Sequence, residues 1–328
     1  MPLDETQPLP GPAAKPYRGE SYYGRPALKP SPFGWKTSGY IFLAGLSGSA
    51  QIIGTVADLT GRPGSEKLVH NARHVAMAAP TLGALLLIGD LHTPSRFYNM
   101  LRIFRRTSPM SIGSWILTGF GAFSALTLGA QWLGLPRVAR VAQVPAAVAG
   151  AGMSVYTAAL LSSTSTPLWA SSPRLLAVRF GSSAMACAAA ALSLGERVDG
   201  RPENAPTLDR VAMAASAVDL IASVASEREH HAEGVAGPVD DTVWAPVQKV
   251  GAIALGAAAP VVCHAINTRR RRPSAALSVL GSLAILAGGM ALRSAILHAG
   301  NRSAERPADY FRFAQPRRPA LLPRETVR

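Results

Sequence analysis

The stretch Gly89–Trp115, GDLHTPSRFYNMLRIFRRTSPMSIGSW, decides the fold, because it joins two long apolar segments through a short basic loop punctuated by proline. Upstream, TLGALLLIG (Thr81–Gly89) stops at Asp90 and His92; downstream, an apolar run opens at Met110 and continues through Trp132. Between them lie Arg96, Arg102, Arg105 and Arg106, with no acid after Asp90. Taken from about residue 74, the upstream run is, like the downstream one, long enough to cross ~30 Å of hydrocarbon, and two such runs with a polar break between them are the pattern of two membrane helices and their loop. An Asp at the mouth of such a helix, followed by an arginine cluster, is either a solvated loop with interfacial anchors or a functional site, since ionisable groups beside hydrocarbon are costly.

Composition points the same way. Of 328 residues 48% are hydrophobic and 16% charged, with a mean hydropathy of +0.18, against ~25% charged in ordinary soluble domains. The hydropathy is modest because the apolar segments are rich in Ala, Gly and Ser, as in membrane helices packed closely on one another. The net charge of +14 falls between apolar runs and comes with no nucleic-acid motif, so nucleic acid is not an expected partner. The cations read as snorkelling anchors, lipid-headgroup contacts or a docking surface for an acidic protein.

Apolar runs near residues 35–58, 74–91, 110–133, 138–161, 175–194, 208–225, 245–266 and 275–297 predict an all-α polytopic membrane protein of about eight transmembrane helices. The first carries Gly45, Gly48 and Ser49, where a neighbouring helix can come close. Pro80 and Pro145 interrupt the second and fourth; the sixth is broken by Asp209, Arg210 and Asp219 and also fits an interfacial helix. Residues 1–34 read as a proline-rich extramembrane tail, 35–298 as the transmembrane domain and 299–328 as a basic tail. The arginine loop and Arg269–Arg272 fall on opposite faces, so the positive-inside rule gives conflicting orientations.

Cys187 and Cys263 stand alone in separate apolar runs, without the CxxC neighbours of a zinc or iron–sulfur site. Haem requires two histidines on facing helices. His70 and His74 share one helix face, and His264 and His298 are expected at opposite sides of the membrane, so neither haem nor metal is expected in this chain. Asp58, Asp90, Asp219, Arg140, Arg179 and Arg293 are the ionisable groups that would line a polar path; most sit near helix ends, where snorkelling also accounts for them, and both readings stay open.

Three strings, in this order, resemble the NrfD/PsrC membrane subunits of polysulfide reductase and related molybdoenzyme complexes: YYGRPALKP with the following YIFLAGLSGSA, the loop DLHTPSRFYNMLRIFRRTSPMSIGSWIL, and YTAALLSSTSTPLWA. The resemblance covers about the first 185 residues and implies helices arranged in the bundles of that family. It also implies a membrane anchor, in the bacterial cytoplasmic membrane, that exchanges electrons between the quinone pool, menaquinone in the first instance, and a ferredoxin-like iron–sulfur subunit serving a molybdopterin catalytic subunit. Members generally carry no haem or metal of their own. The family places the quinone near the start of the first helix, where this chain offers Thr37 and Tyr40 in place of the Asn and His of the polysulfide reductase branch.

A quinone headgroup needs hydrogen-bond partners at its carbonyls and a proton route beside an apolar cleft. Thr37, Tyr40, Asp90, His92 and Tyr156 are the candidates for those roles, and Arg102, Arg105 and Arg106 for docking an acidic partner. For the tyrosines, belt or helix packing is an equally good reading; Asp90 could instead cap a helix or pair with Arg96, and His92 could be a loop residue. Two other classes remain: a passive anchor without a quinone site, and a multi-span transporter. Transporters commonly show broken helices at matching places in two halves, whereas Pro80 and Pro145 both lie in the first half.

Overall fold

A computed structural model describes residues 26–61, 63–90, 94–102, 104–200 and 202–314. Eight long helical segments are present among them: α1 (Trp35–Thr60), α2 (Glu66–Ile88), α3 (Pro109–Trp132), α4 (Pro136–Ser162), α6 (Pro173–Val198), α7 (Ala205–Glu233), a π-helical segment (Val247–Ala258) running on into α9 (Ala259–Arg269), and α10 (Ala275–Glu305). Short elements fill the turns: a 3-10 helix (Pro94–Leu101), α5 (Pro167–Ser171), α8 (Gly237–Asp240) and α11 (Pro307–Ala314). No strand occurs among the described residues.

The eight segments correspond to the eight expected from the apolar runs, with different limits. α2 begins at Glu66 rather than near residue 74, because its first two turns are amphipathic and carry Glu66, Lys67, His70 and Arg73. α7 extends beyond both ends of the expected span, keeping its charges inside the helix. α10 continues to Glu305, into residues expected to be tail. Pro80 and Pro145 stay within α2 and α4, as membrane helices allow when neighbours compensate for the lost backbone bond. Six segments are long and apolar enough to cross a bilayer; α2 and α7 fall short of that standard. Each packs along a neighbour, α2 chiefly on α1 and α7 chiefly on α6.

The helices form two four-helix bundles. α1–α4 make the first; α6, α7, the π-helix with α9, and α10 make the second, and α6 joins them through α1, α4 and α10. The chain starts α1 at what we call the N-terminal face. The arginine loop, α5, α8 and α11 lie at that face; the α1–α2, α3–α4, α6–α7 and α9–α10 turns lie at the opposite one.

The distribution of polarity is that of a protein in lipid. Outward-facing residues include Val141, Val148 and Ile221, each about 70% exposed, whereas Arg73, Arg179, Arg293, Asp209, Asp219, His230 and His264 are buried. In water the arrangement would be reversed; in a bilayer apolar side chains meet acyl chains and polar ones must find partners inside. Close packing rests on small residues. A Cβ on Gly48 would overlap the Gly150 carbonyl where α1 crosses α4, and one on Gly288 would overlap Gly256 where α10 meets the π-helix. Ser49 and Ser154 hydroxyls, 3.0 Å apart, join α1 to α4 beside the first crossing.

At the opposite face the first bundle is tied by a polar knot. Asp58 of α1 accepts from Gln143 of α4 at 2.5 Å and pairs with Arg140 at 3.2 Å and Arg73 at 3.7 Å. Arg73 of α2 donates in turn to Gln143 at 2.7 Å and to Gln131 of α3 at 2.8 Å. All four helices thus share one network of paired charges, the condition under which buried charge is tolerated. Asp58 and Arg140 were candidates for a polar path; their geometry here is that of a lock.

Candidate functional site

Thr37 and Tyr40 lie one turn apart on α1, so their side chains project from one face of the helix, separated by ~4.5 Å along its axis. Thr37 Oγ1 donates to Asp90 Oδ2 at 2.9 Å. Asp90 follows the end of α2, where its N–H bonds to the Leu87 carbonyl at 3.1 Å and Lys36 Nζ bonds to the Gly89 carbonyl at 2.9 Å. A cation at the C-terminus of a helix is well placed against its dipole.

The Tyr40 and Tyr156 hydroxyls are 2.6 Å apart, linking the first turns of α1 to the last turns of α4. Tyr40 is 3% exposed. Each ring is seated against a glycine. Gly83 of α2 passes the Tyr40 ring so closely that a Cβ there would stand 3.3 Å from Cδ2, and a Cβ on Gly113 of α3 would overlap the Tyr156 ring. Phe33, Leu87, Ile116 and Leu117 pack around this core. Four of the five expected site residues are therefore brought together at the N-terminal face by three helices, α1, the end of α2 and α4. The fifth, His92, lies outside the described residues.

The three arginines flank this region. Arg102, Arg105 and Arg106 are exposed, and none has an acidic partner among the described residues. Arg102 donates to Asn99 Oδ1 at 3.4 Å, and the Arg105 N–H bonds to Ser111 Oγ at 3.0 Å, pinning the loop to the start of α3. Phe104 meets Trp115 edge-on at 6.0 Å. The loop is thus fixed at its downstream end, with its cations directed outward.

Several contacts at this face were not visible in the sequence. Residues 26–34 run across from α10 to α1: the Leu28 N–H bonds to the Ala304 carbonyl at 2.9 Å, and Asn301 exchanges bonds with Ser31, the shortest 2.6 Å. Trp169 of α5 donates to the Ile296 carbonyl at 2.8 Å and packs 6.4 Å from Phe33. The part of the expected tail that is described is therefore a strap over the second bundle, leading into the site. A cavity of about 330 Å³ lies elsewhere, near the opposite face between α1, α2, α6 and α7, lined by Val56, Leu68, Met185, Leu208 and Val211 among others. It is almost wholly apolar and touches none of the site residues.

Of the four histidines that could serve as haem ligands, two share one helix and two lie at opposite faces. His70 packs on His74 of the same helix with ring centroids 4.2 Å apart. His298 stacks on Trp244 at 3.9 Å near the N-terminal face, while His264 sits by Asp209 near the opposite face. No group of three or more His, Cys, Asp or Glu gathers with metal-site geometry among the described residues.

A family model described as Polysulphide reductase, NrfD matches residues 26–303, which takes in both bundles and the strap. No curated protein matches the chain.

Proposed function

The chain belongs to the NrfD family of polysulphide reductase, a family of membrane subunits, and from that premise we propose that it exchanges electrons between a membrane quinone and an iron–sulfur partner of a molybdopterin enzyme in the bacterial cytoplasmic membrane. The observation that carries this reading is the pairing of Tyr40–Tyr156 and Thr37–Asp90 one helical turn apart, at the membrane face beneath an arginine-bearing loop. The residues fit such a substrate. Hydroxyls bonded to one another can turn to a carbonyl oxygen without a new desolvation cost, and the apolar side chains around them suit a ring and its prenyl tail. A quinone supplies a two-electron, two-proton couple. In that setting Tyr40 and Tyr156 would bind a carbonyl and relay a proton to its oxygen, and Asp90, at the helix mouth, would exchange protons with the aqueous face while Thr37 holds its carboxylate. Arg102, Arg105 and Arg106 would meet an acidic surface on the iron–sulfur subunit.

A second reading, a passive anchor without a quinone site, is favoured by one observation: the site hydroxyls already satisfy one another, and the described cavity lies at the other face. Titration of the purified chain with a water-soluble menaquinone analogue, followed by tryptophan fluorescence, separates the two. Saturable quenching is expected, with affinity about tenfold weaker in Tyr156→Phe, the loss of one hydrogen bond to a carbonyl. Quenching that stays linear in analogue and is indifferent to Tyr156→Phe would leave the passive anchor.

The docking surface is tested separately. Arg102→Glu, Arg105→Glu and Arg106→Glu together are expected to abolish co-purification of an iron–sulfur subunit from the native host while leaving analogue binding unchanged. Retained co-purification would remove these residues from the interface.

A further inference from the structure

The second bundle holds a line of polar groups that the quinone reading does not use. On α7, Asp209, Ser216, Asp219, Ser223, Ser226 and His230 are buried, at spacings of 7, 3, 4, 3 and 4 residues, the recurrence of one helix face. The stripe runs ~32 Å, the thickness of the hydrocarbon core. Val218, Ile221 and Val224 face outward from the same helix, so α7 is amphipathic with its polar side turned in.

Each end of the stripe is a built cluster. Near the opposite face, Asp209 accepts from Ser193 at 2.6 Å, Ser278 at 2.5 Å and Arg197 at 3.2 Å, with His264 Nδ1 4.0 Å away. At the N-terminal face, His230 Nε2 is 3.0 Å from Ser172 Oγ, and His231 and Lys249 pair with Asp240. Between the ends lie Asp219, Arg179 and Arg293. Arg293 is held by Ser183 Oγ at 2.6 Å and the Phe180 carbonyl at 3.1 Å. Arg179, fully buried, lies within electrostatic reach of Asp219 and Glu227.

Buried polar atoms lacking a hydrogen-bond partner among the described residues gather along this line. They include all three Arg179 nitrogens, one oxygen each of Asp219 and Glu227, the hydroxyls of Ser216 and Ser282, and both ring nitrogens of His264. Groups at membrane depth that the protein leaves unpaired call for water, and a row of them between the two clusters is the lining that a hydrated thread would need.

We propose that the second bundle carries a proton-transfer path across the membrane, with the Asp219 carboxylate at its midpoint, between the Asp209–His264 cluster at one face and His230 at the other. The proton enters at His264 and Asp209, crosses water to Asp219, and converts that carboxylate to the neutral acid; release towards Glu227 and His230 restores the charge. No bond other than O–H or N–H forms or breaks, and no electron moves. Arg179 and Arg293 balance the ionised carboxylate and repel metal cations, so that only a proton, which vanishes into the carboxylate as a bond, is carried. The path is separate from Tyr40 and does not rest on the quinone reading.

The test is proton entry into vesicles holding the purified full chain, with a trapped pH-sensitive dye and a potassium diffusion potential set by valinomycin. Wild-type vesicles are expected to acidify faster than protein-free ones. Asp219→Asn and His264→Gln are each expected to fall to the protein-free rate, Asp219→Glu to recover it, and Val148→Leu, on the lipid-facing side of the first bundle, to leave it unchanged. Wild-type vesicles no faster than protein-free ones overturn the proposal. So do Asp219→Asn or His264→Gln vesicles that conduct like wild type, and the two variants together cover the case in which one fails to fold.

Discussion

Tyr156→Phe should lower quinone-linked electron transfer through the assembled complex about 100-fold or more, the range lost when a positioned proton-transferring group is removed. The substitution keeps the ring, and with it the contact to Gly113, and deletes only the hydroxyl that stands 2.6 Å from Tyr40. The deletion has a structural cost of its own. Tyr40, at 3% exposure, cannot turn to bulk water, so its hydroxyl is left unpaired at ~1–3 kcal/mol. A lower rate alone would therefore not separate a role in proton transfer from a weakened bundle.

The double variant Tyr40→Phe with Tyr156→Phe does so. Replacing both partners of a buried hydrogen bond by apolar groups of the same shape is nearly neutral for stability. The double variant is expected to melt close to wild type, above Tyr156→Phe, and yet to be as slow as the single variant in quinol-dependent reduction of the partner's clusters. Recovery of the rate together with the melting temperature would make the tyrosine pair a packing contact and remove it from the site.

Gly48→Val should destabilise the folded chain by about 3 kcal/mol or more, at the upper end of overpacking costs. Gly48 has the backbone of Gly150 where its own Cβ would be, so no rotamer change can make room and α1 must move away from α4. The separation would also pull on Ser49–Ser154 and, two turns along α1, on Tyr40–Tyr156. Thermal unfolding in detergent would report the first effect and analogue binding the second. Gly119→Ala is the control: its Cβ would meet nothing within 4 Å, and no loss of melting temperature is expected. If Gly48→Val melts like wild type, the close crossing of α1 and α4 does not hold this bundle together.

Much of this architecture is written in composition and periodicity. A bilayer demands apolar stretches of a set length, so runs such as Met110–Leu133 and Val138–Leu161 announced α3 and α4, and small residues in the first run announced a close neighbour for α1. The loop and the two strings around it also carried the family, which the match over residues 26–303 shows, and the choice of Thr37, Tyr40, Asp90 and Tyr156 came from the same reading. Helix limits were less legible. The π-helix at Val247–Ala258 has a wider turn than the 3.6-residue pattern assumes, and the first two turns of α2 carry charges that hydropathy counts against a helix.

What the sequence determined by itself is which segments form long apolar helices, the polar run at 208–225 alone being left between a span and an interfacial helix, because apolar length is a local property, decided by the transfer of each segment from water to hydrocarbon. Only the tertiary structure decided which polar groups meet. Asp58 and Asp219 look alike in the sequence, each a lone acid in or beside an apolar run. Asp58 is tied by Gln143, Arg140 and Arg73 into a lock, whereas Asp219 keeps an unpaired oxygen on a buried polar stripe. The difference lies in partners from other helices, more than ten residues away along the chain in each case, and no local pattern encodes them. In a medium without water every buried charge must be answered by a partner, and it is packing that determines which one.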